Sequence, residues 1–168
     1  YTYDVENNRT SVTDVVYGIE TDYVINPNAA LSKVLIATDS EGNETFYVYG
    51  QGLIGQEEAG AVYRTYHFDL RGSTVALTDD SGNVSDRFQY APYGEMVKHV
   101  GSTSTPFLYT GQYGVMVDSN GLYYMRARYY SPEIRRFVNQ DILARSIADG
   151  QSLNRYAYVQ ANPVKNID

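Results

Sequence analysis

Residues 121–141, "GLYYMRARYYSPEIRRFVNQD", place four tyrosines and four arginines in one run that ends at Asp141. Side chains alternate between faces along a strand. On that pattern, residues 121–130 put Tyr123, Met125, Ala127 and Tyr129 on one face. Leu122, Tyr124, Arg126, Arg128 and Tyr130 fall on the other. The first face reads as core. On the second, arginines stack between tyrosines through cation–π contact. Ser131-Pro132 then ends the strand. The arginines suit pairing with carboxylates on neighbouring strands. The other reading of the same residues is a basic, aromatic nucleic-acid surface. Four arginines against Glu133 give residues 121–136 a local charge of +3, while the whole chain carries −7. That balance disfavours general phosphate binding and implies no nucleic-acid partner.

The chain has 168 residues, enough for one domain or a stretch of a larger repetitive one. Its apolar content is unusual in kind, with 18 tyrosines, 5 phenylalanines and no tryptophan. Tyrosine favours strands, because its ring fits a pleated surface while its hydroxyl reaches water or a partner. The absence of cysteine excludes disulfides, thiolate zinc sites and a cysteine nucleophile. No apolar run approaches the length of a membrane span. The chain opens at Tyr1 without a signal peptide and stops at Asp168 just after a turn-forming segment. It therefore reads as a fragment or processing product of something longer.

Internal repetition organises the chain. "YTYDVENNRTSVTD" opens it, "TDSEGNETFYVYG" spans residues 38–50, and "YHFDLRGSTVALTDDSGNVSDRFQYAPYGE" spans residues 66–95. Thr38-Asp39 with Gly42-Asn43 matches Thr78-Asp79 with Gly82-Asn83 at the same offsets. Aromatic-x-aromatic puts two rings on one face of a strand, and Gly-Asn tolerates the positive φ of a hairpin turn. The pattern predicts serial β-hairpins. Asp39–Asn43 has a faint likeness to a calcium loop but lacks the distal Glu and most of the ligand series, so a plain turn is preferred and no metal is expected. Helix is expected only late in the chain. "DILARSIADG" fits a short helix from Asp141 to a stop at Gly150, and "LNRYAYVQANP" has helical spacing up to Pro163. His67 and His99 read as isolated, one strand-like and one loop-like. No G-x-S-x-G motif supports a hydrolase triad, and no glycine loop supports phosphate or cofactor binding.

The quoted stretch, together with "LNRYAYVQANPVKNID", resembles the core-domain signature of the RHS (rearrangement hotspot) and YD-repeat proteins. The family pattern is roughly G-L-Y-Y-x-R-A-R-Y-Y-x-P-x-x-G-R-F-x-x-x-D-P, followed by N-L-Y-x-Y-x-x-N-N-P-x-x-x-x-D-P-x-G. "YAPYGE" (residues 90–95) and residues 109–130 also match, and "YTYD" and "YHFDLRGS" resemble YD repeats. The resemblance covers nearly the whole chain and is weakest over residues 15–35. It implies a mostly β fold of serial antiparallel hairpins, wound into a spiral or shell, with short helical segments near the C-terminus. Residues 1–95 would be YD-type repeats and residues 96–168 the repeat-associated core that caps or plugs the shell.

The implied function is structural, a wall and cap that enclose a C-terminal polypeptide, often a toxin in bacterial relatives. The implied partners are the rest of the shell and that polypeptide, with exposed edges favouring self-association. The implied setting is a secreted or cell-surface bacterial protein. Some relatives cut their own chain with an aspartic pair, and the matching positions here are Asp141 and Asp168. Two carboxylates sharing a site split into one acid and one base, which activates water against a nearby carbonyl. This sequence departs from the pattern at Ile142, where the family has Pro, and at Ile134-Arg135, where a glycine is missing. The family's cut lies beyond the second aspartate, past Asp168. Asp141 also suits a plain helix cap. A third reading is a carbohydrate- or protein-binding module on a row of exposed tyrosines.

Overall fold

A computed structural model describes residues 1–29, 31–60, 62–142 and 154–166. Ten strands follow one another as an antiparallel meander in unbroken chain order. They are β1 (Thr2–Tyr3), β2 (Arg9–Asp14), β3 (Ile19–Asn26), β4 (Lys33–Asp39) and β5 (Glu44–Tyr49). The series continues with β6 (Leu53–Glu58), β7 (Val62–Phe68), β8 (Thr74–Thr78), β9 (Val84–Tyr90) and β10 (Met96–Val100). A second antiparallel sheet holds β11 (Met116–Val117), β12 (Tyr123–Met125), β13 (Arg128–Ser131) and β14 (Arg136–Phe137). The first sheet runs to Val100, and the second lies wholly within residues 96–168. The serial hairpins expected from the repeats are present.

One five-residue turn recurs, and the sequence repeat encodes it. In Asp39–Asn43, the Asp39 N–H donates to Asn43 O and the Gly42 N–H to Asp39 O. The Asp39 carboxylate accepts from the Glu41 and Asn43 N–H groups and from the Asn43 amide. Asp4–Asn8 and Asp79–Asn83 repeat the same set of bonds. Asp69–Ser73 keeps the backbone pair and two carboxylate bonds. The fourth residue always has positive φ: 64° at Asn7, 84° at Gly42, 77° at Gly72 and 80° at Gly82. Only Gly and Asn take that conformation cheaply. These carboxylates serve the turn, and their bonds hold Asp4, Asp39 and Asp79 below the usual carboxylate range.

Bulges interrupt the ladders between β3 and β4, β5 and β6, and β7 and β8. Each adds twist to the ribbon. One face of the meander is covered by the chain that follows it, residues 104–118. Leu108 O accepts from the Thr74 N–H and Phe107 O from the Thr74 hydroxyl. Gly72 O accepts from the Gln112 N–H. Tyr47, Leu53, Tyr66, Leu77 and Phe88 of the meander pack here against Phe107, Leu108, Met116 and Tyr124. A second cluster joins Tyr109, Val115, Tyr123, Tyr130, Phe137, Tyr158 and Val159. Burial of one such aromatic stabilises the fold by about 2–3 kcal/mol.

Three local expectations are corrected. Residues 121–130 are not one strand but a hairpin, with Met125 opposite Arg128 and a turn at Arg126-Ala127. Arg126 takes φ 56°, and its guanidinium is tied to Ser32 O and Tyr113 O. The segment around residues 154–163 holds turns and one 3₁₀ turn, Val159–Ala161, in place of an α-helix. His99 lies in strand β10, not in a loop. The helix expected to follow Asp141 lies outside the described residues.

Candidate functional site

The signature hairpin leads to Asp141, which is buried. Its Oδ2 lies 3.3 Å from Arg128 Nη1, and its N–H donates to Arg155 O. The Arg128 guanidinium also sits 3.4 Å from the centre of the Phe137 ring. Strand pairing fixes this geometry. Tyr130 lies opposite Phe137, the Phe137 N–H donates to Tyr156 O, and Arg136 bridges Ala157. The final described segment is thereby stitched to β14 beside Asp141. Asp168, the other expected member of the pair, lies outside the described residues.

The remaining arginines of the signature are also engaged within the fold. Arg135 stacks on Tyr93 and Arg136 on Tyr156, at 5.3 and 4.7 Å from the ring centres. The expected pairing is met in part: Arg128 pairs with a carboxylate, Asp141, that lies outside the strands, and the stacking on tyrosine falls to Arg135 and Arg136 and not to Arg126 or Arg128. Successive tyrosines point to opposite faces of β12: Tyr124 joins the cluster on the meander and Tyr123 the second cluster. The second sheet is buried on both sides, which accounts for its double tyrosines.

Three buried polar groups were not visible as sites in the sequence. Arg9 Nη1 donates to both oxygens of Asp118, at 2.8 and 2.9 Å, with both side chains almost fully buried. The Tyr1 hydroxyl adds a bond to Asp118, and the Tyr124 ring lies 4.3 Å from the guanidinium. Burial opposes the Arg9 charge, but Asp118 together with Tyr23 and Tyr129 outweighs it and raises the Arg9 pKa. Asp86 is buried and accepts from His99 Nε2 at 3.0 Å and from the Thr103 N–H and hydroxyl. The His99 ring stacks on Phe88, so His99 is not isolated. Gln56, also buried, accepts from the Tyr66 hydroxyl and donates to Glu58 and to Ser104 O. Burial pushes the Tyr66 hydroxyl well up, so it stays a neutral phenol. Each group anchors residues 99–118 to the meander.

The row of exposed tyrosines required by the binding-module reading is not present among the described residues. Only Tyr1, Tyr3, Tyr17 and Tyr113 are exposed. No helix of the described residues is long and apolar enough to cross a membrane.

No protein-family model matches the chain. The chain is 34% identical over 175 residues to the tRNA3(Ser)-specific nuclease WapA of Bacillus spizizenii, matching 100% of itself and 7% of that protein. It is 28% identical over 170 residues to double-stranded DNA deaminase toxin A of Burkholderia cenocepacia, matching 97% of itself and 10% of that protein. The chain thus spans about a tenth or less of the length of these relatives. Among solved structures, it matches the TcdB2-TccC3-Cdc42 crystal structure with a TM-score of 0.72 and 22% identity. That match covers 99% of this chain and 8% of the solved one, and it shows a shared fold. Sequence relatives and fold together support an RHS-type β module related to toxin proteins.

Proposed function

We propose that the chain is a piece of an RHS/YD-repeat shell, with residues 1–95 as YD-type repeats and residues 96–168 as the repeat-associated core. In this reading it helps to enclose or cap a downstream polypeptide. The observation that carries the reading is the ten-strand meander in chain order, with one face covered by the following segment. Hairpins of this kind bury little alone and are stabilised by their neighbours. A buried ion pair from the first hairpin to residue 118 then ties the start of the segment to its end. The test is limited proteolysis of the longer native chain. The polypeptide after this module should resist protease within the whole protein and be cut when expressed alone. Equal rates in both forms would remove the enclosing role.

A second reading is self-cleavage by Asp141 and Asp168. It is favoured by the buried position of Asp141 at the end of the signature hairpin. A chain held beside such a pair needs no bimolecular encounter, which supplies much of the rate. Intact mass of the longer native chain decides it. A cut lost in both Asp141→Asn and Asp168→Asn supports the pair, and a chain that stays whole without mutation rejects it.

A further inference from the structure

A small cavity of about 20 Å³ lies where strands β2–β4 meet the signature hairpin. That is room for one body the size of a water, which needs about 10–15 Å³. Arg9 and Arg126 both line it, and no Asp or Glu among the described residues does. The Nε atoms of both guanidiniums are buried and have no hydrogen-bond partner among the described residues. Arg9 itself is only 2% exposed. A buried donor left unpaired is costly, so two beside one cavity call for an occupant that accepts.

The charges around the cavity do not balance. Arg9 is neutralised by Asp118 through Nη1. Arg126 donates from Nη2 to Ser32 O and Tyr113 O and has no carboxylate partner among the described residues. Burial lowers its pKa, as expected of a cation with no opposing charge beside it. Gly114 makes room for this arrangement: it has φ 84°, and an added Cβ would lie 2.5 Å from Arg126 Nη2. One positive charge in excess and two free N–H donors therefore border the same space.

We propose that this cavity binds a single monatomic anion, a halide such as chloride. An anion accepts from both Nε–H groups and offsets the Arg126 charge. A water would satisfy the donors and leave the charge. A carboxylate or phosphate group is too large for the space. Ile25, Val34 and Met116 supply an apolar wall, and such surroundings strengthen the attraction between opposite charges. Arg126 is only half-buried, so the ion can exchange with solvent. Arg9 belongs to the meander and Arg126 to the hairpin of the second sheet, so the bound ion would tie the two sheets together. This inference does not rest on the shell reading.

The 168-residue chain should be unfolded in urea with sodium chloride and with sodium gluconate, a large anion, at equal ionic strength. The midpoint should rise with chloride, as for any ligand of the folded state, and not with gluconate. Arg126→Gln should weaken chloride binding by roughly tenfold, the scale of one charge-assisted hydrogen bond. Val34→Leu narrows the cavity and keeps both guanidiniums. It should abolish the chloride effect, and it serves if Arg126→Gln fails to fold. A crystal grown with sodium bromide should show an anomalous peak within hydrogen-bonding reach of both Nε atoms. Equal midpoints in chloride and gluconate, a full chloride effect in either variant, or a bromide crystal without that peak overturns the proposal and leaves a cavity for water.

Discussion

Arg9 and Asp118 lie 109 residues apart and meet as a buried ion pair, with one guanidinium nitrogen donating to both carboxylate oxygens. The pair fastens the second strand to the turn before β12, across the face of the meander. Removing one partner of such a pair leaves an uncompensated buried charge. Arg9→Met should therefore destabilise the chain by about 3–5 kcal/mol in urea denaturation. Replacing both partners with apolar residues should recover much of that loss.

Asp86 makes stability depend on pH. Burial pushes its carboxyl up, but hydrogen bonds from Thr103, His99 and Ser85 outweigh burial and bring it below the ordinary value. A depressed folded-state pKa contributes stability that is present above the unfolded value, about 4, and is lost as pH falls through the folded value. The denaturation midpoints of the unmutated chain and Asp86→Asn should differ at neutral pH, begin to approach each other near about pH 4, and converge only once pH falls below the folded-state value, which lies under it. A gap that persists there would remove Asp86 ionisation as the cause.

Gly101 is required beside that carboxylate. It has φ 123°, and an added Cβ would lie 2.1 Å from Asp86 Oδ1. Gly101→Ala should cost about 1–3 kcal/mol from backbone strain, plus a displaced Asp86. Gly82→Ala is the comparison, because Gly82 has φ 80° with no atom within 4 Å of the added Cβ. It should show strain alone, about 1–2 kcal/mol. Thermal unfolding of both variants measures the difference.

Asp141→Asn separates structure from chemistry. The aspartate is buried beside Arg128, so its loss should destabilise the 168-residue chain by about 2–4 kcal/mol. In the longer native chain, the self-cleavage reading predicts the same variant to be uncut even where it remains folded. A folded and fully cut Asp141→Asn protein would leave the residue a structural partner of Arg128.

The hairpins were legible because their turns are local. Asp39 to Asn43 and Asp79 to Asn83 hold all the donors and acceptors of one turn within five residues. The break at Arg126-Ala127 was not legible. Neither residue favours positive φ, and Arg126 is held there by carbonyls of Ser32 and Tyr113, distant in sequence. Alternation placed Arg128 on a mixed face but could not name Asp141 as its partner. His99 looked isolated for the same reason, because Asp86 reaches it only through the pairing of β9 with β10. The resemblance singled out Asp141 and Asp168, and the described residues include only the first.

As a piece of a shell, this module would be part of a continuous wall. An electron cryomicroscopy map of the longer native protein tests it most directly. In a continuous wall, β1 and β10 are each hydrogen-bonded to strands outside residues 1–168, with the downstream polypeptide on the covered side of the sheet. A map in which both edges face solvent, with the downstream polypeptide packed elsewhere, would contradict it.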